Sequence, residues 1–197
     1  YRRSSSPVDP AVVGIDPTND LLAHGRIRRL QGEAIRDAAL SVSGRLDAQR
    51  YGESVPIHLT SFMTGRGRPG RSGSVDGEGR RSVYLEVRRN FPVPFLVVFD
   101  LPIPTTTIGR RNVSNVPAQS LAMMNDPFIH EMSRLWGKHS LEHADVGLLW
   151  RQAFARAATP EELRAADAFI TEGEGTEETW VELCHALMNT KEFTHLN

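Results

Sequence analysis

The sequence predicts a mainly α-helical domain with a small β-hairpin element and a C-terminal antiparallel helix bundle. Apolar residues recur at helical spacing from Ile27 to Leu46 and again from Leu121 to Trp136. Thr159-Pro160-Glu161-Glu162 forms a capping box with proline at the first helical position, which is a strong start signal. Ser82 to Arg89 alternates apolar and polar residues, as a half-buried strand does.

Composition limits the classes of function. The 197 residues carry 23 basic and 24 acidic side chains, so the net charge of −1 argues against a broad nucleic-acid or anionic-membrane surface. The single cysteine, Cys184, excludes an internal disulfide and a Cys-x-x-Cys-His haem motif within the chain. No run of about 18 apolar residues is present. We therefore expect no nucleic-acid partner, no membrane span and no cofactor bound by this chain.

Three regions differ in composition. Residues 1–20 are polar and contain three prolines, which predicts an extended lead-in from a missing upstream region. Residues 21–138 form an arginine-rich core with the small β element, and residues 139–197 form the helical bundle. We expect the bundle to pack with the core as one domain. Because the chain begins with Tyr1 rather than methionine, we interpret it as part of a longer protein.

The first predicted helix and the loop that follows it have different patterns. Ile27 to Leu46 presents one apolar face. Tyr51 to Gly79 has no such face, and Gly65 to Gly73 alternates glycine with arginine, which cannot bury a core. The run also lacks the Gly-Lys-Ser/Thr of a Walker loop. It is either a mobile or surface-wrapped insertion, or a basic flap over an anionic ligand or partner.

The β element and a short helix come next. A strand at Ser82 to Arg89 needs a partner, and Ile57 to Phe62 would pair with it as a hairpin across the Gly/Arg loop. Pro94 suits the first turn of a short helix from Phe95 to Asp100. These elements would contribute the most apolar stretch of the chain to the core.

The remaining elements are helices. Ser114 or Asn115 can cap a helix that has Pro117 in its first turn, and Pro127 predicts a kink or two abutting helices with Asp126 as the second cap. Three further helices are predicted, over Asp145 to Ala157, from Pro160 to Glu172, and from Thr176 to near Phe193. Their short connections predict antiparallel neighbours that act as scaffold.

The candidate site is a cluster of arginines and carboxylates around the apolar run from Phe91 to Leu101. An aspartate beside such a run is costly unless it is paired. The arginines are therefore either structural partners of the carboxylates or clamps for an anionic ligand. No catalytic residue can be assigned, and we expect no metal site. The candidate ligand-binding residues are Arg81, Arg88, Arg110, Arg111, Glu33, Asp37 and Asp100, with the three carboxylates as acid/base candidates.

Three other constellations are weaker. His139 and His143 are four residues apart, with Glu142 between them, but they lack the His-Glu-x-x-His pattern and a third ligand. Cys184 lies on an apolar helical face and is expected to be a buried thiol rather than a nucleophile. Paired carboxylates for glycoside chemistry are a further possibility, and the candidates are Glu86, Asp100 and Asp126.

Taken together, these motifs resemble the C-terminal domain of unknown function found in large planctomycete-type secreted proteins. The resemblance covers about residues 16–197. The matching motifs combine arginines, glycines and short apolar pairs: Arg28-Arg29-Leu30, Glu33 to Asp37, Val42 to Asp47, Gly65 to Gly70, Arg80 to Tyr84, Arg88-Arg89-Asn90, Phe99-Asp100, Arg110-Arg111-Asn112, Pro117 to Leu121, Asn125 to Phe128, Leu183 to Leu187 and Glu192-Phe193.

The resemblance implies a cellular location and accompanying domains rather than an activity. Proteins of this type commonly carry a c-type cytochrome domain and a second uncharacterised domain upstream. It therefore implies an exported, periplasmic or envelope-associated protein, with haem c in a missing upstream domain and those domains as partners. The leading hypothesis is a non-catalytic structural or interaction module of a cytochrome-c-linked protein. The alternative is a carbohydrate- or anion-binding or carbohydrate-active domain, for example one that binds a polysaccharide through the arginine–carboxylate cluster.

Overall fold

Helices dominate the chain in a computed structural model that describes residue 5 and residues 10–196. Two short 3₁₀ helices, Gly77–Gly79 and Ser82–Tyr84, and one two-stranded antiparallel sheet accompany them. The elements in chain order are α1 Pro10–Ile15, β1 Arg28–Arg29, α2 Gly32–Val42, α3 Pro94–Val98, α4 Pro117–Asn125, α5 Pro127–His143, α6 Val146–Phe154, α7 Pro160–Glu172, α8 Glu177–Met188, α9 Lys191–Thr194 and β2 His195–Leu196. The prediction of a mainly helical fold with a small β element is confirmed.

The sheet joins the two ends of the described chain rather than forming a hairpin. Arg28 pairs with Leu196 and Arg29 with His195, and the Leu30 backbone N–H donates to the carbonyl of Thr194 over 2.8 Å. Residues 28–29 are therefore extended, and helix α2 begins only at Gly32. The sequence pattern predicted an earlier helix start because periodicity cannot reveal a strand partner more than 160 residues away.

The predicted hairpin is wrong. Ser82–Tyr84 is a 3₁₀ helix and residues 57–62 form no strand. The bridge nearest to them pairs Val55 with Leu85, and it is parallel, whereas a hairpin would be antiparallel. The backbone N–H and hydroxyl of Ser82 both bind the Asp37 carboxylate, each over 2.7 Å. These hydrogen bonds to α2 compete with a strand ladder. Val83 and Val87 are 72% and 77% exposed, so the alternation does not mark a buried face.

The predicted break at Pro127 is confirmed. Helix α4 ends at Asn125, and Asp126 has an extended backbone and caps α5 by accepting a hydrogen bond from the Phe128 N–H over 2.9 Å. Proline in the first helical turn needs no N–H partner, so α5 starts there at little cost. The two helices abut rather than forming one kinked helix.

The predicted lead-in is helical in part. Residues 1–4 and 6–9 lie outside the described residues, whereas Pro10–Ile15 forms α1, which has no buried residue. The extended prediction therefore does not hold for residues 10–15. At the other end of the chain, the last predicted helix is divided into α8 and the four-residue α9, because Thr190 caps a new turn at the Phe193 N–H.

One large hydrophobic cluster contains residues from both the arginine-rich region and the C-terminal bundle. Helices α5 and α8 form the most extensive helix pair, and α2 packs against α5. Trp136 lies at the centre and donates its indole N–H to Gln152 over 2.7 Å. The fully buried side chains include Ile35, Leu40, Phe99, Ile129, Met132, Trp136, Leu149, Cys184 and Met188. Among the described residues, no helix is long and apolar enough to cross a membrane.

The capping box at Thr159 is confirmed, and it takes part in a larger ionic contact. Thr159 accepts a hydrogen bond from the Glu162 N–H, and the Glu162 carboxylate accepts from the Thr159 N–H. Arg156 binds Glu162 and Glu192 at the same time, through N–O distances of 2.7–2.8 Å. This arginine therefore ties the loop before α7 to α9.

We expect this contact to make the free energy of unfolding depend on pH in the acid range. The Arg156 hydrogen bonds lower the pKa of Glu162 to about 2, so its contribution is present above the ordinary carboxyl pKa and is lost as the pH falls toward about 2. Glu162→Gln should lower the melting temperature by several degrees at neutral pH. The difference from the wild type should shrink between about pH 5 and about pH 3. A difference that is constant over this range would exclude an ionic role for Glu162.

Candidate functional site

Helix α2 carries Glu33 and Asp37, whereas Asp100 and the four arginines lie between the first 3₁₀ helix and α4. Arg111 donates to both oxygens of Glu33 over 2.9 Å, to the amide oxygen of Gln31 over 3.0 Å and to the backbone carbonyl of Asp100 over 3.0 Å. All three guanidinium nitrogens are thus occupied. Arg111 attaches the segment before α4 to the first turn of α2.

Asp37, one turn later on α2, holds the second 3₁₀ helix. One of its oxygens accepts the two hydrogen bonds from Ser82, and the other lies 3.3 Å from Nε of Arg81. Arg88 makes a two-nitrogen contact with Glu86, at 2.9 Å and 3.2 Å. Arg110 is exposed, and no partner for its side chain lies among residues 10–196.

Asp100 is half-buried and holds the segment around Ser114 in place. It adopts a left-handed backbone with φ of 65°, and its carboxylate accepts hydrogen bonds from the Ser114 N–H, the Ser114 hydroxyl and Arg29. Burial would raise the pKa of Asp100, but the Ser114 hydrogen bonds and the charges of Arg29 and Arg111 outweigh it, so the pKa lies below its ordinary value. The carboxylate is therefore ionised and saturated with donors.

The residue that the sequence analysis missed is Arg36. Its side chain is only 4% exposed, and its guanidinium donates to the carbonyls of Asp76 and Arg80, over 2.7 Å and 3.0 Å, and to the Ser82 hydroxyl over 3.1 Å. It also lies 5.3 Å from the centre of the Phe128 ring. Burial lowers the pKa of Arg36 to about 10, while the charges of Asp37 and Asp76 oppose that shift. The group thus remains a cation at neutral pH.

A signal for Arg36 exists in the sequence. Gly32, Arg36, Leu40 and Ser43 follow one another at intervals of four, four and three residues, which places them on one face of α2. All four are buried. A cation at a core position of a helix requires polar partners from another segment, and the two carbonyls supply them.

A cavity of about 500 Å³ adjoins this cluster. Four of the candidate residues line it, namely Glu33, Asp37, Arg81 and Arg88, whereas Arg110, Arg111 and Asp100 do not. Its floor is apolar and includes Leu96 and Leu101. The lining carboxylates already accept hydrogen bonds from arginine or serine side chains. The arrangement can orient a polar ligand at the rim, but it offers no carboxylate free of donors for acid–base chemistry.

The residues of the two weaker hypotheses, a histidine metal site and a glycosidase carboxylate pair, have separate contacts in the structure. His139 lies close to Gly44 rather than in a polar cluster, and the described residues contain no group of three or more His, Cys, Asp or Glu side chains that could hold a metal ion. Glu86 binds Arg88, Asp100 binds Ser114 and Arg29, and Asp126 caps α5. Each carboxylate of the glycosidase hypothesis therefore has its own separate partners.

Cys184 is a buried thiol with no exposed surface. Burial raises the pKa of Cys184 to about 12, against a smaller opposite effect of a hydrogen bond with Ser140. At about pH 8 the reactive thiolate is therefore scarce as well as inaccessible. We expect a disulfide reagent to label the native protein at least about 100-fold more slowly than the urea-unfolded chain. Equal rates in the two states would show that Cys184 is accessible.

The fold and the site define a small helical domain in which arginines hold long connecting segments against one helix. The chain belongs to the family described as PSD1, protein of unknown function (DUF1553), whose model matches residues 1–170. This match confirms the coarser part of the resemblance, a domain of unknown function. No curated protein matches the chain, and no solved structure does.

Proposed function

We propose that this chain is a non-catalytic structural and interaction module. The observation that supports the proposal is the internal pairing of most charged groups in the candidate site. Arg111 has the most contacts there and uses all three guanidinium nitrogens on Gln31, Glu33 and the Asp100 carbonyl. Arg36 is occupied in the same way by internal carbonyls. Cations arranged like this fix the positions of loops, and they leave little capacity for an anionic substrate.

The test compares Arg111, which binds other segments of the chain, with Arg88, which lines the cavity. Arg111→Ala should lower the melting temperature because Glu33 loses its cation, whereas Arg88→Ala should change it little, since the Arg88–Glu86 contact is about half exposed. Neither variant should alter the response to added sulfate, phosphate or sugars, because the scaffold role predicts no such response. A melting temperature of Arg111→Ala equal to that of the wild type would contradict the proposal.

We further propose that the module belongs to a longer exported protein linked to a c-type cytochrome. The support is the resemblance of its motifs to planctomycete-type secreted proteins, and the family match agrees with its coarser part. The chain has one cysteine and therefore no Cys-x-x-Cys-His motif, so any haem c would be bound elsewhere in the protein. Cell fractionation of the host should then place the protein in the periplasmic or envelope fraction, with haem absorbance that co-purifies with it. A cytoplasmic protein without haem would refute this part.

A second candidate function is the binding of a carbohydrate or another anionic ligand. One observation favours it: the cavity of about 500 Å³ has an apolar floor and a rim with Arg81 and Arg88, whose side chains are 58% and 47% exposed. A ligand that binds only the folded state raises the melting temperature by mass action. Screening of sulfated, uronic and neutral sugars should then give a shift for one class, which is lost in Arg81→Ala or Arg88→Ala. A shift that persists in both variants would place binding outside this cavity.

A further inference from the structure

Residues 54–75, the basic loop, are positively charged and unneutralised. They contain Arg66, Arg68 and Arg71 and no aspartate or glutamate. All three arginines are exposed. Within residues 10–196, no carboxylate lies at salt-bridge distance from any of them. This contrasts with Arg29, Arg36 and Arg111, which internal partners occupy.

The basic loop is a built element with its own small core. Ile57 and Leu59 are buried together with Phe91. The Gly73 N–H donates to the carbonyl of Ile57 over 2.8 Å, and the Leu59 N–H donates to the Ser72 hydroxyl over 2.9 Å. A side chain on Gly73 would collide with the Pro56 carbonyl. These contacts hold the two arms of the loop together and keep its arginines in place.

The tip of the loop is apolar as well as basic. Phe62 is 92% exposed, and Nε of Arg68 donates to the Met63 carbonyl over 2.7 Å, which holds the cation beside the tip. A depression of about 430 Å³ separates the tip from α3, and Phe62, Met63, Phe91, Pro94 and Val97 are among its lining residues. An exposed apolar depression beside unpaired cations suits a partner that presents both carboxylates and an apolar side chain.

The same chain carries a surface of that chemistry. We call residues 167–182 the acidic turn. This segment runs from the second half of α7 into the first half of α8, and it contains six carboxylates and no lysine or arginine. All six are exposed, and within the described residues none of them forms a salt bridge. The turn also presents Phe169, which is 40% exposed. No hydrogen bond or ion pair between described residues connects the acidic turn to the basic loop.

We propose that the basic loop of one copy binds the acidic turn of a second copy, with Phe169 seated in the depression beside Phe62. The proposal rests on the interaction role proposed above and names its partner. The contact forms a two-fold dimer when both loops bind reciprocally, and a ring or an open filament when it is head-to-tail. A sulfated polysaccharide would match the arginines but would leave the apolar depression unused.

Sedimentation velocity of the 197-residue chain at several concentrations tests the proposal. At about 0.05 M salt the average mass should rise with concentration, and about 0.5 M salt should weaken the association at least about tenfold because it screens exposed charges. Reversal of the loop charges by Arg66→Glu, Arg68→Glu and Arg71→Glu should leave a monomer. Reversal of the turn by Asp167→Arg, Glu172→Arg and Glu182→Arg should do the same, and these positions avoid the first turn of α8.

Mixing the two charge-reversed proteins provides the decisive result. The reversed loop is acidic, and the reversed turn has no net charge because three of its six carboxylates remain. In the mixture, the unchanged acidic turn of the loop variant can still bind the unchanged basic loop of the turn variant. The mixture should therefore form a 1:1 complex through this one native contact, although each variant alone stays monomeric. Phe62→Ser should weaken wild-type association by about tenfold. A control variant with the same charge change at exposed positions elsewhere, Arg28→Glu, Arg50→Glu and Arg151→Glu, should associate within about twofold of the wild type.

The proposal is overturned if the wild type stays monomeric at low salt, or if the mixture of reversed variants does not associate. Dextran sulfate that binds the basic loop while the protein remains monomeric would also overturn it, in favour of a polyanionic partner. Melting temperatures show whether each variant is folded. If Arg111→Ala melts early while the wild type is monomeric, this inference fails and the structural role stands.

Discussion

Gly137→Ala is expected to destabilise the protein by about 3 kcal/mol, although alanine is normally the better helix residue by about 1 kcal/mol. Gly137 lies in α5, where this helix crosses α8. A β-carbon built on Gly137 would lie 2.6 Å from both Cα and N of Val181 and 2.8 Å from its Cγ2. Since two of these atoms belong to the backbone, the helices must separate, and the largest helix contact in the core is disturbed. The melting temperature should fall by roughly 6–12 °C.

Two controls separate this crowding from a simple change in helix propensity. Gly14→Ala in α1 has no neighbour within 4 Å of its new β-carbon, so it should be neutral or slightly stabilising. Val181→Ala added to Gly137→Ala should not restore stability, because it removes the γ-methyl groups, including the crowded Cγ2, and leaves the backbone contact. A double variant as stable as the wild type would show that side-chain crowding alone limits this position.

The sequence predicted those elements whose causes lie within a few residues of one another. Pro127 cannot donate a backbone hydrogen bond and Asp126 can cap, so the break between α4 and α5 was visible locally. The same holds for the capping box at Thr159. The segment around Ser82 failed because its conformation depends on Asp37, 45 residues earlier in the chain. Sheet residues Arg28 and Leu196 are even farther apart, and no turn signal connects them.

The candidate site was predicted in composition rather than in connectivity. The arginines and carboxylates were identified as a set, and Glu33, Asp37, Arg81 and Arg88 do line one cavity. The partner of each arginine was not visible, since Arg111 reaches Glu33 across 78 residues of sequence. Charge and residue type therefore indicate which charged side chains cluster, but only the packing of the loops on α2 decides which ion pairs form.

Arg36 is the buried cation that binds the loop from Asp76 to Ser82 to α2. Arg36→Met keeps a long apolar stem in the same space and removes every donor, so it isolates the guanidinium. The Arg80 carbonyl would then lack this donor inside the protein, at a cost of about 1–3 kcal/mol. The Asp76 carbonyl also loses its bond to Arg36, but it still accepts from the Gly79 N–H over 3.2 Å. Part of this cost is offset because a charge no longer has to be buried. We expect a net loss of about 3 kcal/mol in the free energy of unfolding.

Chemical denaturation measures this loss, and an exposed arginine provides the control. Arg134 on α5 pairs with Glu131 three residues away and is half exposed, so Arg134→Met should change the unfolding free energy by less than about 0.5 kcal/mol. If Arg36→Met were as stable as the wild type, the free-energy cost of desolvating the guanidinium would equal the stabilisation from its hydrogen bonds. In the expected case, the segment from Asp76 to Arg80 loses its hydrogen bonds to Arg36 while Ser82 stays bound to Asp37, and amide hydrogen exchange should rise in that segment before it rises in α5 and α8.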